Sequence, residues 1–143
     1  MTFLPSTFFD EFDDYFITRI AEDTGNDDVA WGILLDFQFT PVGGCQQQVK
    51  NGDHVLWAFD AFNKQHFLKL DGPVLVKSGV PATFTVTDGA TGNPIEGATV
   101  GGPGVSGIGG EVQVVFHSLG KRSLKAERND SIRSNRVEFL VVP

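Results

Sequence analysis

Apolar and polar residues alternate along short stretches of this chain. Between residues 82 and 87 the sequence ATFTVT places three apolar side chains on one side and three threonines on the other. Successive side chains of a β-strand point to opposite faces of its sheet, so this alternation is typical of a half-buried strand. The same period predicts strands over 111–117 and 121–128, and an apolar run predicts a last strand over 137–142. The second half of the chain is therefore predicted to be β-structure.

Turn-forming residues divide this second half at regular intervals. They recur roughly every eight to twelve residues from Asp71-Gly72-Pro73 onward, which is the spacing expected of a β-sandwich. Proline withdraws a backbone donor at that first turn, and the charge pattern also changes there. We therefore predict one domain over 1–70, a second over 71–143, and a long flexible loop over the glycine-rich residues 101–110.

The first half of the chain has a less uniform pattern. Apolar residues between Phe9 and Ile20 fall at helical spacing, whereas residues 15–20 alone fit a strand, and periodicity does not separate the two. An acidic, glycine-containing turn over 22–28 is followed by an apolar run over 29–39. A hairpin of strand, turn and strand is the simpler interpretation.

Two further strands are predicted before the boundary. The dipeptide Asn51-Gly52 is a strong tight-turn signal and is followed by the apolar run 55–59. A turn at Asn63-Lys64 then leads into a strand over 67–70. With 17 glycines, 13 phenylalanines and 41% hydrophobic residues, the chain has a composition suited to short, packed strands. The predicted fold class is all-β and mainly antiparallel.

The charge of the chain is unevenly distributed. The net charge is −7, and residues 1–40 hold nine acidic residues against a single base, Arg19. Binding to DNA or RNA needs Lys and Arg side chains that replace the counterions of phosphates, so we predict no nucleic-acid partner. No apolar run is long enough for a membrane-spanning helix. The first residues also lack the basic and apolar regions of a signal peptide.

Cys45 and His54 are the residues best suited to nucleophilic chemistry. A histidine base or a positive field can activate a cysteine thiol. No family-specific cysteine signature surrounds Cys45, however, and no orienting Asn or Asp is identifiable. A cysteine-dependent hydrolase is therefore an alternative hypothesis. Because Cys45 is the only cysteine, it cannot form a disulfide within this chain.

The candidate motifs for a metal or a cofactor lack the spacing or the neighbouring element that such a site needs. His54, His66 and His117 do not have the spacing that places two ligands on one face. The acidic segment 23–28 offers oxygen ligands but lacks the glutamate that closes a calcium loop, so a solvated hairpin tip is favoured. The letters G-x-G-x-x-G over 102–107 match a dinucleotide loop, but a strand is predicted to follow them where such a loop needs a helix. We predict no metal and no cofactor.

Four aromatic residues lie on or beside the predicted strands of the first half: Trp31, Trp57, Phe59 and Phe62. Aromatic residues on strands are commonly core residues, but they also form the walls of ligand sites. Both interpretations stay open at this point. Trp31, Trp57 and Phe59 are the candidate ligand-binding residues.

Two segments of the first half carry a family resemblance. The sequence WGILLDFQF over 31–39, followed by VKNGDHVLWAF over 49–59, resembles the end of a small β-grasp-like domain related to the C-terminal domain of transcobalamin. In that family a tryptophan strand ending in V-N-G precedes a G-D-x-V-x-W strand. The second element matches at four positions: Gly52, Asp53, Val55 and Trp57. In the first element, Asp36 and Phe37 stand where Asn and Gly are usual, which affects any ligand contact that the usual tight turn makes.

The order of several other segments is similar to that of secreted fungal proteins of unknown function, which join this domain to an immunoglobulin-like one. The similar segments are 12–20, 41–45, 60–64, 88–95, 124–128 and 130–135. The resemblance implies a partial β-grasp-like unit over 1–70, an immunoglobulin-like β-sandwich over 71–143, and a secreted or cell-surface location. It also implies that the chain is truncated at its N-terminus, which explains the absent signal peptide and makes Cys45 one half of a disulfide.

These features favour a non-catalytic extracellular or cell-wall-associated binding or structural module. Its partner is predicted to be a protein, a glycan or a small molecule, and a carrier of a corrin-like or apolar small molecule is the main alternative. A missing edge strand would leave unpaired backbone groups, and these favour a homodimer formed by strand pairing.

Overall fold

The computed structural model describes residues 6–9, 14–17, 19–25 and 29–143. Every regular element in these residues is a β-strand, except for one short 3-10 helix, Ala61–Asn63. The predicted all-β fold class is confirmed. No helix in these ranges has the length and apolar character that crossing a membrane requires. The chain divides into two compact units, Met1–Lys64 and Gln65–Pro143.

The first unit is built from short antiparallel strands. They are β1 (Ser6–Phe9), β2 (Asp14–Ile17), β3 (Arg19–Ile20), β4 (Asp23–Thr24), β5 (Trp31–Leu35), β6 (Gln38–Phe39) and β7 (Val55–Phe59). β1 pairs with β2, β3 pairs with β4, and the other three form a sheet in the order β6-β5-β7. In this sheet Trp31 lies opposite Phe59 and Ile33 lies opposite Trp57. Residues from the two tryptophan-containing segments are thus direct neighbours.

The described residues between Phe9 and Ile20 lie in strands and not in a helix. Residues 14–17 and 19–20 form β2 and β3, which agrees with the strand predicted over 15–20. Of the predicted turn over 22–28, residues 26–28 lie outside the described residues. The hairpin predicted between 15–20 and 29–39 is wrong for the strands described, because β5 pairs with β6 and β7.

The continuous strand predicted over 29–39 is also wrong. A two-residue turn separates β5 from β6, and its residues Asp36 and Phe37 have φ angles of 50° and 66°. Two left-handed residues in succession give the hairpin turn that matches the twist of the flanking strands. Asp tolerates this conformation, but Phe rarely adopts it, so the pair Asp-Phe was not recognised as a turn in an otherwise apolar run.

The second unit contains ten strands. They are β8 (His66–Asp71), β9 (Leu75–Lys77), β10 (Ala82–Asp88), β11 (Thr99–Val100), β12 (Gly104–Val105), β13 (Glu111–Val114), β14 (Gly120–Leu124), β15 (Ala126–Glu127), β16 (Ser131–Ile132) and β17 (Val137–Val142). The sheets have the orders β13-β10-β8-β16, β14-β17-β9 and β12-β11-β15. Pairing is antiparallel except between β16 and β8 and between β17 and β9. β8 belongs to this unit, although the sequence placed its residues before the domain boundary.

The core of the second unit follows from the alternation in its sequence. Ala82, Phe84 and Val86 of β10 are buried, as the pattern predicts. The ring centroid of Phe84 lies 5.6 Å from that of Phe139 on β17, and Phe116 lies 4.8 Å from Phe139. Because β10 and β17 belong to different sheets, these rings join two sheets over one core in a sandwich-like arrangement.

Gly72 lies directly against the most deeply buried ring of this core. A Cβ atom at Gly72 would lie 2.3 Å from Cδ1 and 2.6 Å from Cε1 of Phe84. Carbon atoms in contact are about 3.5–4.0 Å apart, so any larger residue would displace the ring or the backbone. The absence of a side chain at Gly72 therefore allows the chain after β8 to cover Phe84.

The glycine-rich segment 101–110 is more ordered than a long flexible loop. It contains β12, and Ser106 within it is only 2% exposed. The Ser106 hydroxyl donates to the carbonyl of Ile95 at 2.6 Å and accepts from the amide of Ala98 at 3.0 Å. A buried side chain thus satisfies backbone groups that strand pairing leaves over. The strand β13 follows this segment, as predicted, so no helix N-terminus is present to hold a dinucleotide phosphate.

A similar device holds the end of β8. The side-chain oxygen of Asn135 accepts from the Leu70 amide at 3.0 Å, and its amide nitrogen donates to the Leu70 carbonyl at 3.0 Å. The neighbouring Ser134 accepts from the Ala126 amide at 2.7 Å. The Asn135 side chain thus substitutes for a strand partner beside Leu70 of β8, and the Ser134 hydroxyl does so beside Ala126 of β15.

Candidate functional site

The first unit contains a cleft of about 300 Å³, here named the aromatic cleft. Its lining residues are Ile17, Trp31, Gly32, Ile33, Phe39, Thr40, Pro41, Val42, Gly43, Gly44, Gln46, Trp57 and Phe62. They come from β2, β5, β6 and β7, from the segment after β6 and from the 3-10 helix. All these lining side chains are neutral, and most are apolar.

Trp31 is fixed on one side of this cleft. Its indole nitrogen donates to the carbonyl oxygen of Asp23 at 3.1 Å. Its ring centroid lies 5.2 Å from that of Phe59 at an angle of 52°, a tilted contact favoured between aromatic rings. Of the three residues proposed from the sequence, Trp31 and Trp57 line the cleft, whereas Phe59 supports Trp31 from its cross-strand position.

Trp57 is covered by the segment that follows β6. A Cβ atom at Gly44 would lie 2.9 Å from Cη2 of Trp57, so the backbone at Gly44 can approach the indole only because it carries no side chain. The segment is held to the sheet by Thr40, whose amide donates to the Ile33 carbonyl at 3.3 Å. The amide of Gln46 donates to the Gly43 carbonyl at 3.1 Å and closes the turn. The indole of Trp57 is therefore half-buried in a defined position.

Phe39 and Phe62 form the exposed side of the cleft. Their rings are stacked, with centroids 4.9 Å apart and an angle of 4° between planes. Phe39 is 41% exposed and Phe62 is 62% exposed. Sequence reasoning missed Phe39, because its position opposite Leu34 depends on the turn between β5 and β6. Recognition of a turn at residues 36–37 would have placed Phe39 opposite Leu34.

That turn is tied to the start of β7 through His54. The Asp36 amide donates to the His54 carbonyl at 2.8 Å, and the His54 amide donates to the Asp36 carboxylate at 2.9 Å. The rings of Phe37 and His54 are stacked, with centroids 5.7 Å apart. The tight turn is thus formed with Asp36 and Phe37 at its two central positions and is held by His54.

The two residues of the nucleophile hypothesis have different surroundings. His54 is exposed and takes part in the contacts of the β5–β6 turn. Cys45 is exposed in the segment that covers Trp57, directly after Gly44. His54 thus belongs to the contacts of a turn, and Cys45 belongs to the segment that covers Trp57. A cysteine-dependent hydrolase stays an alternative hypothesis without geometric support.

The second unit carries a separate group of polar side chains, here named the polar cleft. It has a volume of about 600 Å³ and is lined by Gly97, Thr99, Glu127, Arg128, Asn129, Asp130 and Arg133. Two ion pairs lie in it: Arg128 with Asp130 at 3.2 Å and Arg133 with Glu127 at 3.6 Å. The hydrogen bond from the Ser131 hydroxyl, together with the charge of Arg128, lowers the pKa of Asp130.

His66 and Asp88 form a further pair beside this region of the fold. The Nδ1 atom of His66 lies 2.8 Å from a carboxylate oxygen of Asp88, and the other oxygen accepts from the Ala90 amide at 2.9 Å. Asp88 is buried at the end of β10, and the pair connects it to the start of β8. In the ranges that the structure describes, no three Cys, His, Asp or Glu side chains are grouped as metal ligands.

Comparison with known proteins shows that no family model, no curated protein and no solved structure matches this chain. The resemblance to the transcobalamin-related and fungal secreted proteins therefore stays a prediction. The residues that line the aromatic cleft are therefore the basis for a proposal about its ligand.

Proposed function

We propose that this protein is a non-catalytic binding module of the extracellular space or cell wall, and that the aromatic cleft is its ligand site. The observation that carries the proposal is the stacked pair Phe39 and Phe62, which stays exposed and lines one cleft with Trp31 and Trp57. Clustered aromatic rings at the surface mark sites of interaction, since a ligand that covers them removes apolar surface from water.

The balance of groups in the cleft suits a ligand with flat apolar faces and polar edges. Ligand sites are mostly apolar with a few placed polar groups, and the aromatic cleft has Thr40 and Gln46 beside its rings. A sugar ring has this character, because its C–H faces can lie on aromatic rings while its hydroxyl groups form hydrogen bonds. We therefore propose a glycan as the ligand class.

The size of the cleft agrees with a single ring. Its volume of about 300 Å³ lies at the lower end of the range for ligand sites. One sugar unit of a longer polymer fits this size better than a whole corrin does. A small apolar molecule is the second candidate, since both tryptophans and Ile33 contribute apolar surface.

The fold identities are part of the same proposal. The two segments that carry the resemblance form the paired strands β5 and β7, which supports a β-grasp-like first unit. The two sheets that share one core in the second unit support an immunoglobulin-like sandwich. Secretion or a cell-surface location follows from the resemblance alone.

Retention of the purified chain on insoluble cell-wall polymers tests the glycan proposal. We expect retention on at least one of chitin, cellulose and β-glucan, with tryptophan emission changed by the matching soluble oligosaccharide. Phe62→Ala should weaken binding roughly two- to tenfold, because an aromatic contact contributes about 0.5–1.5 kcal/mol. Phe62 is exposed, so the variant should fold normally.

Ile108→Ala is the matched control for this experiment. Ile108 is 82% exposed and lies in the second unit, away from the lining of the aromatic cleft. Its loss removes exposed apolar surface of a similar kind and should leave binding unchanged. No retention on any polymer, or an equal effect of both substitutions, would refute glycan binding by this cleft.

A panel of corrins and lipids tests the second candidate in the same assay. Trp31 and Trp57 both line the cleft, so a bound small molecule should change their emission. Emission that stays constant across the panel removes the carrier hypothesis.

A further inference from the structure

The turn between β15 and β16 presents an asparagine side chain at the surface. The Ser131 amide donates to the Arg128 carbonyl at 3.1 Å, so Asn129 and Asp130 are the two central residues of a tight turn. Asn129 is exposed, and no hydrogen bond among the described residues uses its side-chain amide. Arg128 and Asp130 lie on either side of Asn129, and their ion pair holds the turn in shape.

The sequence of this turn is an acceptor motif. Residues 129–131 read Asn-Asp-Ser, which matches the pattern Asn-x-Ser/Thr with a residue other than proline in the middle. This triplet occurs once in the chain. The pattern is recognised in secreted proteins, where the modified asparagine lies in a surface loop.

We propose that Asn129 is an N-glycosylation site. The side-chain nitrogen of Asn129 attacks the anomeric carbon of an oligosaccharide carried on a lipid pyrophosphate. A carbon–nitrogen bond forms, the carbon–oxygen bond to the pyrophosphate breaks, and the amide proton leaves while the lipid pyrophosphate departs. No oxidation or reduction takes place. The proposal rests on the extracellular location given under the proposed function.

The surroundings of Asn129 suit an attached sugar. It lies on the rim of the polar cleft, next to Thr99, Glu127 and Arg133, whose side chains can form hydrogen bonds with hydroxyl groups. The turn is at the surface, so a glycan there extends into solvent without displacing a core residue. The folded structure can therefore keep the modification without repacking.

The order of events also follows from this turn. In the folded chain Ser131 is 7% exposed, and its hydroxyl donates to the Asp130 carboxylate at 2.8 Å. The acceptor motif needs this hydroxyl group, so attachment has to precede closure of the turn. Because folding competes with the transfer, we expect a mixture of modified and bare chains.

Cell-free translation with endoplasmic-reticulum microsomes tests the site on the full chain with a secretion leader added. Only chains protected from added protease are analysed, since these have reached the compartment of the transferase. We expect a slower-migrating fraction that peptide-N-glycosidase removes, with Asn129 converted to aspartate in the released peptide. Asn129→Gln and Ser131→Ala should each abolish that fraction.

Protected wild-type chains that migrate like Asn129→Gln would overturn the proposal, as would a shifted fraction that persists in this variant. Ligand binding is measured separately on bacterially produced protein, in which Asn129 is bare. Failure of binding and failure of glycosylation are therefore distinguishable outcomes.

Discussion

Aromatic rings are used differently in the two units. In the second unit Phe84, Phe116 and Phe139 contact one another around the shared core of two sheets. In the first unit Phe39 and Phe62 also contact each other, yet both remain exposed. Burial of a ring stabilises a fold, whereas an exposed pair keeps apolar surface for another molecule. The second unit thus packs its rings into a core, whereas the first unit keeps a pair of stacked rings at its surface.

The two units also differ in the residues that adopt positive φ angles. In the described residues, all non-glycine residues with positive φ belong to the first unit: Ala21, Asp36, Phe37 and Asp60. The positive-φ residues of the second unit are all glycines. Each non-glycine residue in the left-handed region costs about 1–3 kcal/mol. Such conformations persist where neighbouring contacts hold them, and functional sites are where they commonly occur.

The largest expected effect is on the core of the second unit. Phe84→Ala should lower the free energy of unfolding by about 3–5 kcal/mol, because it leaves a cavity in a closely packed core. Denaturant unfolding followed by far-UV circular dichroism measures the change. Phe62→Ala removes the same side chain from an exposed position and should cost less than about 1 kcal/mol. Equal losses for the two variants would contradict the contrast between the units.

A smaller effect is expected at the strained turn of the first unit. Asp36→Ala removes the acceptor for the His54 amide and places alanine at positive φ, so the free energy of unfolding should fall by about 1–2 kcal/mol. Asp36→Asn keeps an acceptor and a residue that tolerates this conformation, and should change stability by less than about 0.5 kcal/mol. Thermal unfolding of both variants measures the difference. If alanine is tolerated as well as asparagine, the Asp36 side chain does not stabilise the turn between β5 and β6.

The smallest expected effect concerns acid sensitivity of the second unit. The folded state lowers the pKa of Asp130, mainly through the hydrogen bond from Ser131. The resulting stabilisation is present above the unfolded pKa of about 3.9 and is lost as pH falls through the lower folded pKa. Asp130→Asn should therefore lose less stability than the wild type between about pH 5 and pH 2. The expected difference is small, because Asp130 is partly exposed. If the stability of the two proteins changes equally with pH, the Asp130 carboxylate contributes nothing.

Much of the second unit could be predicted because its pattern is local. The strands predicted over 111–117, 121–128 and 137–142 correspond to β13, to β14 with β15, and to β17. The alternation that buries Phe84 is visible in six consecutive letters of sequence. What the pattern could not show was Ser106, whose hydroxyl satisfies backbone groups in a segment that composition alone describes as flexible.

The candidate site was only half predictable for a similar reason. Trp31 and Trp57 were evident as large aromatic residues on neighbouring strands, and both line the aromatic cleft. Phe39 was not, because its place depends on a turn whose second residue, Phe37, has no turn preference. The contacts of that turn with His54 come from a different part of the chain, so no local pattern reveals them.

Gly72 has a consequence for how this protein can vary. The residue is exposed to solvent, yet a side chain at its Cα would point into the ring of Phe84. Surface positions normally accept many amino acids, but this one should accept a single amino acid in a complete substitution scan. Gly72 and Phe84 therefore constrain each other across two segments of the chain, and distant relatives should retain the pair after the surrounding surface has diverged.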